Sequence, residues 1–498
     1  MFAPMPGRRD ALMMIAAVAL LAAVTIGWGE RIGVNGGAGW DGQAYVSWAR
    51  DFPAAMRSGF TVYQSKRVVP SAIVYGALRA LGNPRSAPDV IVAFQVLDAL
   101  ALIASALFLH LIARSLAWSR ATAWAAFALT FLGFDLARNA LYYPALTDTF
   151  AFLLGMALVW AYLERRAVAC GVIAVLAAST WPAVFPIALA AMVLPRPEAL
   201  PAVELRGRPA AALAIAAAAA AGAIVWLVAY WRHPYPTMGK YVALAHTDLL
   251  AVTIACTALV CGAAVHAIAR EPRAWAVVPY LRSLAPRRTA IAAATAIAIF
   301  AARELWVRTL GTRGPGIRFD EFAGMAAAFN VRGPLWNVVH HVVWFGPVVV
   351  LAILVWPRAC ARLGAWGYVP IAAVVLTIAL SIDTESRVLV GLWPFVIVAV
   401  VDAVAWTPRS AATAAALGLA WSKLWWHLGY DRAIDAFDWP NLRYTMHDGP
   451  RASDATFLAH GAAAVITGVL LALALRQQPT GVDDGESDGR TGSVRPVY

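Results

Sequence analysis

The sequence predicts an all-α polytopic integral membrane protein, a helical bundle of about fourteen membrane helices with an interfacial helix in its first outer loop. Three observations predict it. Hydrophobic residues make up 61% of the 498-residue chain and charged residues only 14%, too little charged surface for a soluble chain of this length. Apolar runs of membrane-spanning length recur, separated by short basic or aromatic loops. Nothing resembles the short alternating strands of an outer-membrane barrel, and spanning helices satisfy their own backbone hydrogen bonds in lipid.

Arg8 and Arg9 precede an apolar stretch from Ala11 to Trp28. Gly-Trp-Gly-Glu is a poor cleavage site, so this stretch reads as a retained first helix with the N-terminus in the cytoplasm. It delivers residues 30–88 to the outer side. Within them, 68–82 is apolar but broken by Pro70, Gly76 and Arg79, which fits an interfacial or re-entrant helix. Helices near 89–112, 121–134 and 149–163 follow, with Arg114, Arg120, Arg165 and Arg166 in inner loops and 135–148 as a short outer loop. Residues 167–194, interrupted by Trp181-Pro182, read as two short helices, because a single one would carry Arg196, Arg206 and Arg208 outside.

The remaining helices fall near 209–231, 250–269, 289–305, 336–356, 365–381, 388–406, 411–428 and 455–475. Residues 1–195 form a first module with two outer loops, and 196–476 form a second transmembrane region. The polar segment 477–498 reads as a disordered cytoplasmic tail. Both termini are then cytoplasmic, in the inner (cytoplasmic) membrane.

The formal charge is +12, and of the 40 basic residues only Lys66, Lys240 and Lys423 are lysines. Most arginines sit in short loops, where they set orientation, so the charge indicates membrane topology and not nucleic-acid binding. Cys170, Cys256, Cys261 and Cys360 are scattered and show no metal or disulfide spacing. His246 and His340-His341 lack acidic neighbours at ligand spacing and read as interfacial residues.

The chemistry-bearing residues converge on the outer loops. The first loop carries Trp40-Asp41-Gly42-Gln43-Ala44-Tyr45, then Tyr63 and Lys66-Arg67. Glycines beside Trp40-Asp41 let the backbone bend and aim a carboxylate into a cavity, and a carboxylate next to aromatic rings suits a sugar. A turn aspartate beside an interfacial tryptophan is the plainer alternative. The second loop carries Asp135, Arg138, Asn139, Tyr143 and Thr147-Asp148, where Asp148 is placed to cap a helix, to face a cleft, or both. The third element, Asp383-Thr384-Glu385-Ser386-Arg387, offers an arginine for bidentate phosphate binding, or a local salt bridge to Asp383 or Glu385.

Taken together, the Trp40-Asp41-Gly42-Gln43-Ala44-Tyr45 motif, the stretch ending in Lys66-Arg67, Leu146-Thr147-Asp148, and Glu385-x-Arg387 before the helix with Pro394 resemble the bacterial polytopic glycosyltransferases of the GT-C superfamily. The likeness covers the first 195 residues in order and the segment 383–394; elsewhere only topology matches. It implies a hexosyl or pentosyl transferase that takes sugar from a polyprenyl-phosphate-linked donor and passes it to a glycan, lipid or protein acceptor of the cell envelope on the outer face. By the resemblance, Asp41 acts as base or acceptor-positioning group and Asp148 matches the second acidic position. Arg387, with Arg67 and Arg138, faces the donor phosphate, and Trp40, Gln43, Tyr45 and Tyr63 line the substrate. Thr147-Asp148 stands where many members have a paired acidic motif, so a divalent metal is possible but not indicated.

Two other classes compete. Gln95, Asp98 and Asp402 inside apolar helices would serve a transporter or flippase, although no inverted repeat is visible, and Asp98 also fits a cross-helix hydrogen bond. A non-catalytic envelope-assembly scaffold is the third class.

Overall fold

The structure is a computed structural model, and it describes residues 5–82, 85–204, 207–232, 244–429 and 451–476. The expected tail 477–498 and most of the loop 429–454 lie outside the described residues. The described residues are helical and contain no strand. Seven helices among them are long and apolar enough to cross a membrane. They are α1 (Arg8–Trp28), α5 (Ala87–Ser115), α10 (Arg208–Arg232), α11 (Leu250–Arg270), α13 (Pro286–Leu310), α16 (Pro347–Trp366) and α20 (Asp454–Arg476). Large apolar side chains on these helices face outward, among them Leu20, Leu213, Leu259, Ile297 and Val465. Such faces need lipid to cover them.

The first loop holds α2 (Gly42–Arg50), α3 (Phe52–Ser58) and α4 (Val69–Ala80). The last falls on the expected interfacial segment; the first two were expected as loop and extended chain. The central elements are α6 (Arg120–Phe131), α7 (Asp148–Leu163), α8 (Ala167–Ala178) and α9 (Val184–Val193). Beyond α11 come α12 (Val277–Ser283), α14 (Phe319–Asn330), α15 (Trp336–Phe345), α17 (Tyr368–Leu380), α18 (Trp393–Asp402) and α19 (Pro408–Ser422).

Local chemistry sets these boundaries. Ser86 and Ser119 cap α5 and α6 by accepting from the N–H groups of Asp89 and Thr122, as N-cap serines do. Residues 167–194 are two helices with the break at Thr180-Trp181-Pro182, as the proline requires. The expected single helix 336–356 is instead two, because Gly346 adopts φ 74° between α15 and α16. Likewise 388–406 is shortened to α18 after a 3₁₀ turn at Ser386–Leu389.

The expected count of about fourteen spans is not established, because it would need the shorter apolar helices. Val184–Val193 has 10 residues and Asp148–Leu163 has 16. At 1.5 Å per residue they reach about 15 and 24 Å against a hydrocarbon core of about 30 Å.

Small residues let helices meet closely. A Cβ on Gly262 of α11 would stand 3.3 Å from the Ala216 carbonyl oxygen of α10. Gly155 of α7 leaves no room for a Cβ against the Gly391 backbone and Pro394. Without a hydrophobic drive between helices in lipid, such contacts carry the packing. Gln95 donates to the Leu141 carbonyl at 3.3 Å, and the Thr149 hydroxyl bonds Asp98, so these two side chains tie α5 to other elements. Asp402 ends α18 and accepts from Trp118 Nε1 at 2.7 Å while pairing with Arg362 at 3.3 Å. It sits at a helix end, tied to Trp118 in a loop and to Arg362 on α16, and not mid-helix as expected.

Candidate functional site

The first loop is shaped by the second. Gly39 has φ +70°, and a Cβ there would fall inside the Tyr143 ring, so only glycine satisfies both constraints. Asn35 donates to the Gly39 carbonyl at 2.8 Å and closes the turn. The Tyr143 hydroxyl accepts from the backbone N–H of Asp41 at 2.9 Å. Trp40 meets the Tyr143 ring edge-on, centroids 6.1 Å apart. A Cβ on Gly42 would come within 2.6 Å of the Ala145 carbonyl oxygen. These contacts fix where the Asp41 carboxylate begins its reach.

The third element arrives from the opposite end of the chain. Asp41 Oδ2 accepts from Arg387 Nη2 at 2.9 Å, and Arg387 Nε also donates to Glu385. The turn bearing Arg387 is held by side chains from two helices. Asn337 donates to the Ser381 carbonyl at 2.9 Å, and Asn330 to the Ile382 carbonyl at 2.8 Å. His341 Nε2 lies 2.9 Å from the same Ser381 carbonyl and its Nδ1 2.8 Å from the Ser386 hydroxyl, while His340 Nδ1 lies 3.2 Å from the Thr384 carbonyl.

Both histidines are buried; the expectation that they are interfacial is corrected. His246, the third, is partly exposed and lies 2.9 Å from Asp454. The Asp383 carboxyl accepts from the Glu385 N–H at 3.0 Å. Burial first, and the nearby Glu385 second, hold it above the ordinary carboxylate range.

Asp148 begins α7, but the N-cap is Thr147 and no side chain caps the helix. The capping expectation fails. Its carboxylate is buried, 5% exposed, and neither oxygen has a hydrogen-bond partner. The charges that act on it are those of Arg387, Arg67, Glu385 and Asp41, so Asp148 belongs to the same cluster. A buried carboxylate without a hydrogen-bond partner is costly, which singles Asp148 out as a candidate functional group.

Arg67 sits between two rings, 4.6 Å from the Tyr63 centroid and 4.5 Å from that of Trp181. Cation–π contact holds the guanidinium plane while leaving its edge for an anion. The Val69 N–H donates to the Ser179 carbonyl at 3.1 Å, tying this segment to the break between α8 and α9. Tyr45 is buried, its ring edge-on to that of Trp48 on the same helix, centroids 5.2 Å apart. Gln43 is exposed on α2.

Arg138 stands apart from this cluster. It pairs with Glu30 at 2.7 Å and donates to the carbonyls of Lys423 and Leu424 at 2.9 and 2.8 Å. Its place on a buried π-helical turn, Asp135–Asn139, aims it at Glu30, which also accepts from the N–H groups of Leu428 and Gly429. The expected phosphate role is therefore corrected to a lock between chain segments.

Trp181, Asn337, His340 and His341 shape the site without having been singled out for it in the sequence. Tyr143 and Glu385, by contrast, were already named with their loops, and Glu385 is the expected salt-bridge partner of Arg387. Among the described residues, no group of three or more His, Cys, Asp or Glu side chains is placed to hold a metal ion. No family model, curated protein or solved structure matches the chain.

Proposed function

We propose that the chain is a membrane glycosyltransferase that moves a sugar from a polyprenyl-phosphate-linked donor to an envelope acceptor. The observation that supports it best is the 2.9 Å pair between Asp41 and Arg387, a carboxylate and a guanidinium beside aromatic rings and a second, unpartnered carboxylate. Asp41 takes the proton of the acceptor hydroxyl as that oxygen bonds the anomeric carbon. The bond from that carbon to the phosphate oxygen breaks, and its electron pair leaves with the phosphate. Arg387 and Arg67 stabilise the charge that develops there. Trp40 and Tyr63 offer faces for sugar rings.

In this reading the chain crosses the inner membrane about fourteen times with both termini in the cytoplasm, and the cluster faces outward. At the other end of the bundle, arginines near helix ends form ion pairs, Arg120–Asp10, Arg165–Glu198 and Arg362–Asp402, which supports that orientation. The test is transfer from a radiolabelled polyprenyl-phosphate sugar in membranes. Asp41→Asn is expected to abolish transfer at normal protein abundance. Undiminished transfer by that variant defeats the assigned role, and labelling that reaches Trp40 only from the cytosol defeats the orientation.

A further inference from the structure

Away from the Asp41 cluster, α6 and α19 form a groove that the proposed reaction does not use. The two helices touch near Gly418, where a Cβ would lie 3.0 Å from Leu132 Cβ and 3.1 Å from the Ala128 carbonyl oxygen. From that contact a groove runs between them toward Arg120 and Pro408. The opening encloses about 630 Å³, within the roughly 300–1,000 Å³ of small-molecule sites. Its walls are small or aromatic: Ala121, Trp124 and Ala128 on one side, Ala411, Ala412 and Ala415 on the other. Trp406 lies beside them, its indole N–H already given to the Val401 carbonyl at 3.0 Å. Nothing polar lines the depth of the groove.

Its mouth has the opposite character. Ser119 and Arg120 line it, and Arg409 follows the lining Pro408 on the facing helix. Arg120 Nε pairs with Asp10 at 2.7 Å, yet the side chain remains 55% exposed. Arg8 and Arg9, next to Asp10 in the chain, and Arg409, next to Pro408, are exposed, so further arginines flank the Arg120–Asp10 pair at the mouth. α6 runs from Arg120 toward the second outer loop, which puts this mouth at the end of the bundle opposite Asp41.

An alanine-walled slot, closed at one end and cationic at the other, matches a molecule with a slender apolar chain and an anionic head. We propose that the groove between Arg120–Phe131 and Pro408–Ser422 is a binding site for an anionic lipid, its acyl chain along the alanines and its phosphate at Arg120 and Arg409. Alanine walls admit the chain closely, the tryptophans flank it, and the arginines attract the head. The site is independent of sugar transfer and stands if that reading fails.

The test is native mass spectrometry of the full chain in detergent, with phosphatidylglycerol and phosphatidylcholine of equal chain length supplied together. Retention of one phosphatidylglycerol in preference to phosphatidylcholine is expected. Arg409→Gln should weaken that preference about fivefold, the effect of one surface arginine. Ala415→Leu, which fills the slot, should lower retention of both lipids, and Ala416→Leu on the exposed face beside it should change nothing. Equal retention of the two lipids by the unaltered protein overturns the proposal, as does undiminished retention in a folded Ala415→Leu protein. The lipid comparison in the unaltered protein decides the matter even where that variant fails to fold.

Discussion

Asp41 and Arg387 are 346 positions apart in the chain and 2.9 Å apart in space. Arg387 is shared between Asp41 and Glu385. A phosphate that takes the guanidinium therefore releases Asp41 from its partner, and a carboxylate without a cation beside it is the stronger base. In the proposed transfer, donor binding and activation of the base would be coupled through one arginine. Asp41→Asn and Arg387→Ala should each lower kcat by about 10²–10⁴-fold, with Arg387→Lys intermediate. Asp41 is 41% exposed, so Asp41→Asn should change thermal stability by about 1 kcal/mol or less. Arg387 is 17% exposed and also pairs with Glu385, so Arg387→Ala should cost about 3–5 kcal/mol. Paired kinetic and melting measurements check both halves; a large loss of stability with normal kcat per folded molecule would assign the pair a structural role.

His341 bonds the Ser381 carbonyl and the Ser386 hydroxyl, and through them it sets where Arg387 stands. His341→Ala should raise KM for the lipid-linked donor and leave KM for the acceptor nearly unchanged. Loss of the buried bonds costs about 1–3 kcal/mol. Asn337→Ala removes another anchor of the same turn and should act in the same direction. If donor and acceptor KM rise together, the histidine serves the fold at large and not this turn.

The Arg138–Glu30 lock predicts a different signature. Both side chains are largely buried, at 8% and 17% exposure, and breaking such a pair by truncating one partner costs about 3–5 kcal/mol. Arg138→Ala should therefore melt far below the parent, while transfer per folded molecule is retained. A stable Arg138→Ala protein that no longer binds donor would restore the phosphate role assigned from sequence.

Asp383 provides a pH test. Its carboxyl is held above the ordinary range by burial and by Glu385, so the folded state binds the proton more tightly than the unfolded chain. That contribution to stability is complete below the unfolded value, near 3.9 for aspartate, and is lost as pH rises through the raised folded value. Stability of the turn, read by thermal melting, should fall on the alkaline side, and Asp383→Asn should flatten that limb. An unchanged alkaline limb in Asp383→Asn would remove Asp383 from this account.

The first loop depends on fit as well as charge. Gly39→Ala would push a methyl group into the Tyr143 ring at a backbone angle that suits glycine, costing about 1–3 kcal/mol. Tyr143→Phe removes only the hydroxyl that accepts from the Asp41 N–H and should be milder. Limited proteolysis of residues 30–67 in the two variants measures the difference.

Much of the architecture was legible because hydrophobic run length and proline placement act locally. The break at Trp181-Pro182 and the helix over Val69–Ala80 follow from such rules. The helices Gly42–Arg50 and Phe52–Ser58 were not legible, being short and held by contacts with distant segments. Asp41, Asp148, Arg67 and Arg387 were nominated by residue type and loop position, and they do gather in one cluster. Arg138 was nominated on the same grounds and faces elsewhere, because loop membership does not say which way a side chain points.

By itself, the sequence determined that this chain is helical and apolar enough for a bilayer, since composition and run length decide what lipid will accept. The tertiary structure alone decided that residue 41 meets residue 387, that Asp148 is left without a partner, and that two histidines anchor a turn. Such pairings depend on how helices pack across hundreds of residues, and no local pattern encodes them.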